Sequence, residues 1–117
     1  MDSILTSIKK LLGITEEYEE FDTDIIIHIN SVLATLYQLG VGPESGFSIT
    51  DSSSTWSDFI GENNVLIDLV KTYVYYKVRL AFDPPTNGTH IESMNKLMNE
   101  QEFRIRSMVD WGAKTEE

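Results

Sequence analysis

The residues of this chain best suited to catalysis are its two histidines, His28 and His90. An imidazole near neutral pH serves as a general base or a metal ligand. Neither histidine can be combined with a serine and an aspartate into a nucleophilic triad. His28 flanks the apolar face of a helical pattern, which indicates a packed or interface histidine. His90 follows Asn87-Gly88-Thr89 at a helix start, where a capping or solvent-exposed role is expected.

A dense run of acids between Glu16 and Asp24 is the second group that could do chemistry. It lacks the regular spacing and the glycine of an EF-hand calcium loop, so we interpret it as a solvated run. The chain has no cysteine, which excludes thiolate zinc sites, disulfides and thiol catalysis. It also has no glycine-rich phosphate-binding motif. The sequence therefore predicts a protein that is not an enzyme and that uses no metal ion or cofactor.

The overall charge limits the classes of partner. The 117 residues include 19 acids and 9 bases, giving a net charge of −10. Binding to phosphates needs clustered lysines and arginines, so a gripping nucleic-acid interface and docking on an anionic membrane are both disfavoured. The start of the chain lacks a secretory pattern, and no run of about 18 apolar residues indicates a membrane span. A protein that lies next to DNA without binding its phosphates tightly remains compatible with this charge.

Hydrophobic periodicity predicts an all-α fold, a small four-helix domain with a central, mostly buried third helix. A long loop separates helices two and three. The domain is expected to cover residues 1–111, followed by a frayed acidic tail at 112–117. The predicted helices are Ser3–Leu12, Thr23–Leu39 with Asp22 as N-cap, a third helix begun by Asn63 or Asn64, and Thr89–Val109.

The third helix is the strongest element in the pattern. From Val65 to Phe82 apolar residues occur almost all the way round, so this helix should be buried on most sides. Charged residues at four positions interrupt it and argue against a membrane span. Asp83-Pro84-Pro85 should end it sharply, because proline lacks a backbone N–H and restricts the residue before it.

The loop at residues 43–54 is polar but carries Phe47 and Ile49 two positions apart. This alternation favours an extended piece or a short hairpin over a helix. Thr55 then resembles the N-cap of one short turn, WSDFIG, with Asp58 in the capping-box position.

Several apolar residues do not fit the core faces of these helices. At about 100° per residue, Ile27 lies almost opposite the apolar face of helix two, and Phe103 lies opposite that of the last helix. Apolar patches within polar surroundings mark protein–protein contacts. The candidate subunit or neighbour interface therefore comprises Ile27, Phe47, Ile49, Trp56, Phe103 and Trp111.

Three stretches together resemble the phage head–tail connector proteins, also described as head-completion or DNA-packaging adaptor proteins, of long-tailed phages and prophages. They are FDTDIIIHINSVLATLYQLGVGP at 21–43, WSDFIG at 56–61 and VKTYVYYKVRLAFDPP at 70–85. A long amphipathic helix follows the third stretch. The similarity extends over roughly residues 3–110, and the order and spacing of the pieces carry it more than any single piece.

The resemblance implies an all-α structural virion protein that forms a ring of about a dozen copies below the portal. Such a ring extends the DNA channel, lets DNA pass without specific binding, and provides the tail attachment platform. The implied partners are other copies of the chain, the portal protein and a tail-side neck or tail-completion protein, with no membrane. The implied location is the virion neck, after synthesis in the bacterial host cytoplasm. The family has no catalytic residues to carry over.

A second interpretation remains open. The acidic balance also suits a small regulatory or protein-binding module, either a DNA-mimic inhibitor or an adaptor that holds a partner helix. That protein would form a stable one-to-one complex and show no affinity for a portal.

Overall fold

A computed structural model of the chain describes the backbone of residues 3–115 and the side chains of residues 3–110. The helices are α1 (Ile4–Leu11), α2 (Asp22–Gln38), α3 (Trp56–Ile60), α4 (Asn64–Phe82) and α5 (Gly88–Thr115). Within this part of the chain there is no strand, only one isolated bridge between Ser3 and Thr55. The all-α prediction is confirmed. The short WSDFIG turn is a helix of its own, so the predicted central helix is α4.

Helix α4 lies between α2 and α5, and α1 and α3 complete its cover. Its residues Val70, Tyr73, Val74 and Val78 are fully buried, as the apolar pattern predicted. Layers of helices on two sides of one central helix make a flat body with extents of 46 × 35 × 20 Å. We call the outer faces of α2 and α5, which are turned away from α4, the two edges of this body.

A buried lysine joins α1 to α2. Lys9 is only 2% exposed, yet its Nζ has three oxygens around it. It donates to the carbonyls of Glu16 at 3.1 Å and Tyr18 at 2.7 Å, and it lies 2.8 Å from Oδ1 of Asp22. Two carbonyls accept hydrogen bonds from the ammonium and Asp22 supplies the opposite charge, which together compensate the burial of the cation.

The predicted N-cap of α2 is wrong. Asp22 is the first helical residue, and Phe21 occupies the cap position without a side-chain hydrogen bond. The carboxylate of Asp22 is engaged by Lys9, so it does not turn back to the amides of its own helix. It still places a negative charge in the first turn, where the helix dipole favours one.

The other helix starts follow the sequence signals. Thr55 and Asp58 form the predicted capping box of α3, and Asn63 caps α4 by accepting from the amide of Leu66 at 3.1 Å. Helix α5 begins after Asn87, whose Oδ1 accepts from the amide of Thr89 at 2.8 Å.

The last helix is longer than predicted. Its backbone continues past Val109 to Thr115, so it enters the stretch assigned to the tail at 112–117. Residues 116 and 117 lie outside the described residues, and the fraying of the tail stays a prediction. Within residues 3–115, no helix is both long and apolar enough to cross a bilayer.

The Lys9 site gives a test of the fold. Replacing Lys9 by methionine keeps the aliphatic stem but leaves Asp22 and two carbonyls without their donor. Because Asp22 is partly solvated, we expect a loss of about 2–3 kcal/mol in the free energy of unfolding, measured by urea denaturation. The control is the exposed neighbour Lys10→Met, which should change stability by less than about 0.5 kcal/mol. Equal stability of the two variants would show that the buried ion pair does not hold α1 to α2.

Candidate protein–protein interfaces

Two of the predicted interface residues lie on two different edges of the body. Ile27 on α2 is 60% exposed and Phe103 on α5 is 70% exposed, the latter the most exposed large apolar side chain described. Each lies on the outer face of its helix, away from the buried residues that pack on α4. Both helices are held by the core, so these side chains are presented on rigid supports.

The surroundings of the two residues differ in chemistry. Near Ile27, α2 exposes Asp24 and Ser31 about one turn away and Ala34 about two turns away. Near Phe103, α5 carries the ion pairs Arg104–Glu100 at 2.7 Å and Arg106–Glu102 at 3.8 Å. The α2 edge thus carries small and acidic side chains, while the α5 edge carries an aromatic ring between two arginines.

The candidates in the loop and in α3 are placed differently from the prediction. Ile49 is 2% exposed and Trp56 is 3% exposed, so the expectation that they add apolar surface is wrong. Trp56 packs in the core and donates from Nε1 to Oγ of Ser7 at 2.9 Å. Phe47 is half-buried, with its ring 5.1 Å from that of Phe59. The side chain of Trp111 lies outside the described residues.

Asn30 explains why the loop at 43–54 turns inward. Its side-chain amide donates to the carbonyl of Ile49 at 2.9 Å and its Oδ1 accepts from the amide of Ile49 at 2.7 Å. This pair of hydrogen bonds resembles that of a neighbouring strand, so the loop is an extended piece held by α2, and its described residues form no hairpin.

The start of the loop packs closely on α3. Gly42 lies so close to Phe59 that a Cβ at this position would be 2.5 Å from the ring.

Sequence reasoning missed an aromatic cluster at one end of the body. The ring of Phe21 meets Tyr18 at 5.5 Å and Phe82 at 5.4 Å, and His28 lies 6.4 Å from Phe82. We call these four residues the aromatic end cluster. Tyr18 donates its hydroxyl to Glu20, which raises the pKa of that phenol. The signal in the sequence was the placement of two aromatic residues within the acidic run.

The α4–α5 contact that supports Phe103 contains a buried phenol. Tyr73 donates its hydroxyl to Glu102 at 3.4 Å, and Lys77 lies 5.7 Å from the centre of its ring. Burial, followed by the charge and hydrogen bond of Glu102, raises the pKa of Tyr73 to about 12. The neutral phenol is therefore the form that fits between these helices.

The described residues offer clefts but no group suited to holding a metal ion. No set of three histidine, aspartate or glutamate side chains converges in residues 3–110. An open cleft of about 510 Å³ lies between α3 and α4. Its lining is Trp56, Ser57, Glu62, Asn64, Ile67, Asp68 and Lys71.

Comparison with known protein families gives a match over most of the chain. The family model described as phage connector protein matches residues 4–110, which is nearly the whole chain. No curated protein and no solved structure matches.

The Asn30 contact predicts local protection of the loop. In Asn30→Ala, the amide of Ile49 loses its acceptor while most of the core stays intact, so its hydrogen exchange should speed up about tenfold or more. NMR of the wild-type and variant proteins measures this residue by residue. Thr35→Ala is the matched control on an exposed position of α2 and should leave Ile49 unchanged. Unaltered exchange of the Ile49 amide in Asn30→Ala would contradict the inference that the Asn30 side chain holds this loop.

Tyr73 predicts an alkaline limit to stability. Its pKa in the fold lies above the ordinary value of 10, so its contribution is complete below pH 10 and is lost as the pH rises toward about 12. Tyr73→Phe should flatten the fall in unfolding free energy across that window. Chemical denaturation at a series of pH values checks this. Tyr37→Phe, an exposed tyrosine that bonds the carbonyl of Glu44, serves as control and should retain the wild-type slope.

Proposed function

Because this chain belongs to the phage connector protein family, we propose that its copies form a ring below the portal of the filled capsid. In this role the ring extends the DNA channel and gives the tail its attachment platform. The portal protein contacts one side and a tail-side neck or tail-completion protein the other. The protein is made in the host cytoplasm and resides in the virion neck.

The observation that carries the ring is the pair of exposed apolar residues on two different edges. Ile27 and Phe103 lie on unlike surfaces of two helices that flank α4. A dimer with a two-fold axis would use one surface twice, whereas a head-to-tail contact needs two different surfaces and closes into a ring when the rotation permits. We infer that the α2 edge of one copy packs against the α5 edge of the next.

The distribution of charge supports the same pairing. No lysine or arginine occurs between residues 11 and 70, a segment that includes all of α2. The exposed arginines near Phe103 lie on α5. A head-to-tail contact therefore brings an edge that lacks cations against one whose arginines are paired with Glu100 and Glu102, and it avoids placing two cation-free acidic edges against each other.

The net charge of −10 suits a passage for DNA. A channel that attracted phosphate would hold the duplex, and a net negative ring repels it from the walls. DNA then passes without specific binding. The acids that line the channel would be exposed residues distant from both subunit edges.

The test replaces each edge residue by an aspartate. Ile27→Asp and Phe103→Asp each bury a charge in the subunit contact, which should weaken it by about 2 kcal/mol or more, roughly thirtyfold. Analytical ultracentrifugation at high concentration and with purified portal protein measures assembly. Circular dichroism should show folded monomers, because both positions are exposed. Val65→Asp, an exposed valine at the start of α4, is the control and should assemble normally.

Normal assembly by both edge variants would contradict the proposed contact. If the wild-type protein does not bind the portal but forms a stable one-to-one complex with another protein, the interpretation as a small acidic binding module is favoured. Monomers in dilute solution, by themselves, would agree with the proposal, since the portal is the expected template.

A further inference from the structure

We propose that α2 of one copy packs antiparallel on α5 of the next copy, and that an ion pair between Asp24 and Arg106 sets this direction. The inference rests on the proposed function for the contact between the two edges. It adds the relative direction of the two helices and the pair of residues that selects it. Neither follows from the exposed apolar residues alone.

The charge of the α2 edge lies on one side of Ile27. Asp24 precedes Ile27 by three residues, so it is exposed one turn nearer the start of the helix on the same side. Asp22, the other acid of α2, is engaged by Lys9. On the far side of Ile27 the exposed neighbour is Ser31, which carries no charge. The α2 edge is therefore negative toward its N-terminus and neutral toward its C-terminus.

The α5 edge carries opposite charges on the two sides of Phe103. Glu100 lies three residues before the ring and Arg106 three residues after it, so each is one turn away on the same side of the helix. Arg104 is the next residue along the chain and is rotated by about 100° from Phe103. Along the line through Phe103, the edge is therefore negative toward its N-terminus and positive toward its C-terminus.

These positions distinguish the two directions in which the helices could pack. The contact is centred on Ile27 and Phe103 in either case. An antiparallel contact places Asp24 beside Arg106, because the N-terminal side of α2 then adjoins the C-terminal side of α5. A parallel contact places Asp24 beside Glu100. Since opposite charges attract and like charges repel across a contact, the antiparallel direction is favoured and the parallel one is disfavoured.

Arg106 can change partners at little cost. Its guanidinium lies 3.8 Å from Glu102, and its side chain is 62% exposed. Exposed ion pairs within one helix contribute little to stability. Glu102 would keep the hydrogen bond that it accepts from the hydroxyl of Tyr73 at 3.4 Å. The tighter pair of Arg104 with Glu100, at 2.7 Å, would stay intact.

The sizes of the side chains agree with this direction. In the antiparallel contact, the small exposed residues Ser31 and Ala34 adjoin the N-terminal side of Phe103. That side carries the bulky pair of Arg104 and Glu100. Large side chains facing small ones fill the space between two helices without forcing them apart.

The first experiment exchanges the two charges in the full chain. Asp24→Arg and Arg106→Glu should each weaken self-association about tenfold, and Asp24→Arg/Arg106→Glu should return to within about threefold of the wild type. Every copy carries both edges, so the double variant presents an exchanged pair at each contact. Analytical ultracentrifugation over a concentration series gives the association constants, and circular dichroism checks the fold.

Two variants serve as controls for the charge exchange. Asp24→Arg/Arg104→Glu reverses an arginine on another side of α5 and should stay as weak as Asp24→Arg alone. Glu62→Arg changes the net charge by the same amount at an exposed position before α4, and it should assemble like the wild type.

The second experiment measures the direction of the helices. The chain has no cysteine, so introduced cysteines are its only thiols. At high concentration, a mixture of Asp24→Cys and Arg106→Cys chains should give a covalent dimer with a short thiol cross-linker. The yield should exceed that of Asp24→Cys mixed with Glu100→Cys, because the two α5 positions lie six residues, about 9 Å, apart. Each chain treated alone gives the background.

Three results would overturn the inference. If the single charge variants assemble like the wild type, or the double variant does not recover, Asp24 and Arg106 do not face each other. If cross-linking through Glu100 is stronger, the helices are parallel. In both cases the ring itself is judged separately, by Ile27→Asp and Phe103→Asp. If the wild type neither self-associates nor binds the portal protein, the proposed function fails and the inference fails with it.

Discussion

The ammonium of Lys9 is the constraint on which the arrangement of α1, the acidic link and α2 depends. A cation removed from water is tolerated only where oxygens replace the water, and here two carbonyls and one carboxylate do so. Both carbonyls belong to a link with no helix of its own. The lysine thereby folds a strongly acidic segment, which would otherwise repel itself, back onto the first helix. The positions of Tyr18 and Phe21 at the surface follow from that fold.

Helix α4 imposes the second constraint. Because it is covered from two sides by α2 and α5, those helices bury only their inner faces and become the edges of a flat body. An apolar residue on an edge cannot be brought into the core by small movements. Ile27 and Phe103 therefore remain exposed in the single subunit, and their burial requires another molecule.

Periodicity and capping rules were sufficient for the helices and insufficient for the contacts between them. The all-round apolar pattern identified α4, and the Thr55–Asp58 spacing identified the start of α3. The same rules assigned Asp22 as the N-cap, because capping rules consider only residues next to the helix start. They do not include Lys9, which lies thirteen positions earlier and pairs with the Asp22 carboxylate.

The burial of Ile49 was hidden for a related reason. It depends on a hydrogen bond to Asn30, nineteen residues away on another element. The polar sequence of the loop does not indicate such a contact. The off-face positions of Ile27 and Phe103, in contrast, depend only on the helical repeat within one element, so the sequence sufficed to place them on the outer faces.

The small size of the apolar edges bears on how a ring would assemble. Full burial of an isoleucine or phenylalanine side chain contributes about 1.5–3 kcal/mol, whereas association of two free proteins costs about 4–15 kcal/mol in lost motion. One such residue on each edge gives about 3–6 kcal/mol in all, which falls short of most of that range in dilute solution. A portal that already holds copies side by side removes much of the cost, since neighbours then meet at high effective concentration. Weak edges would thus confine ring formation to the capsid vertex, where a connector is needed.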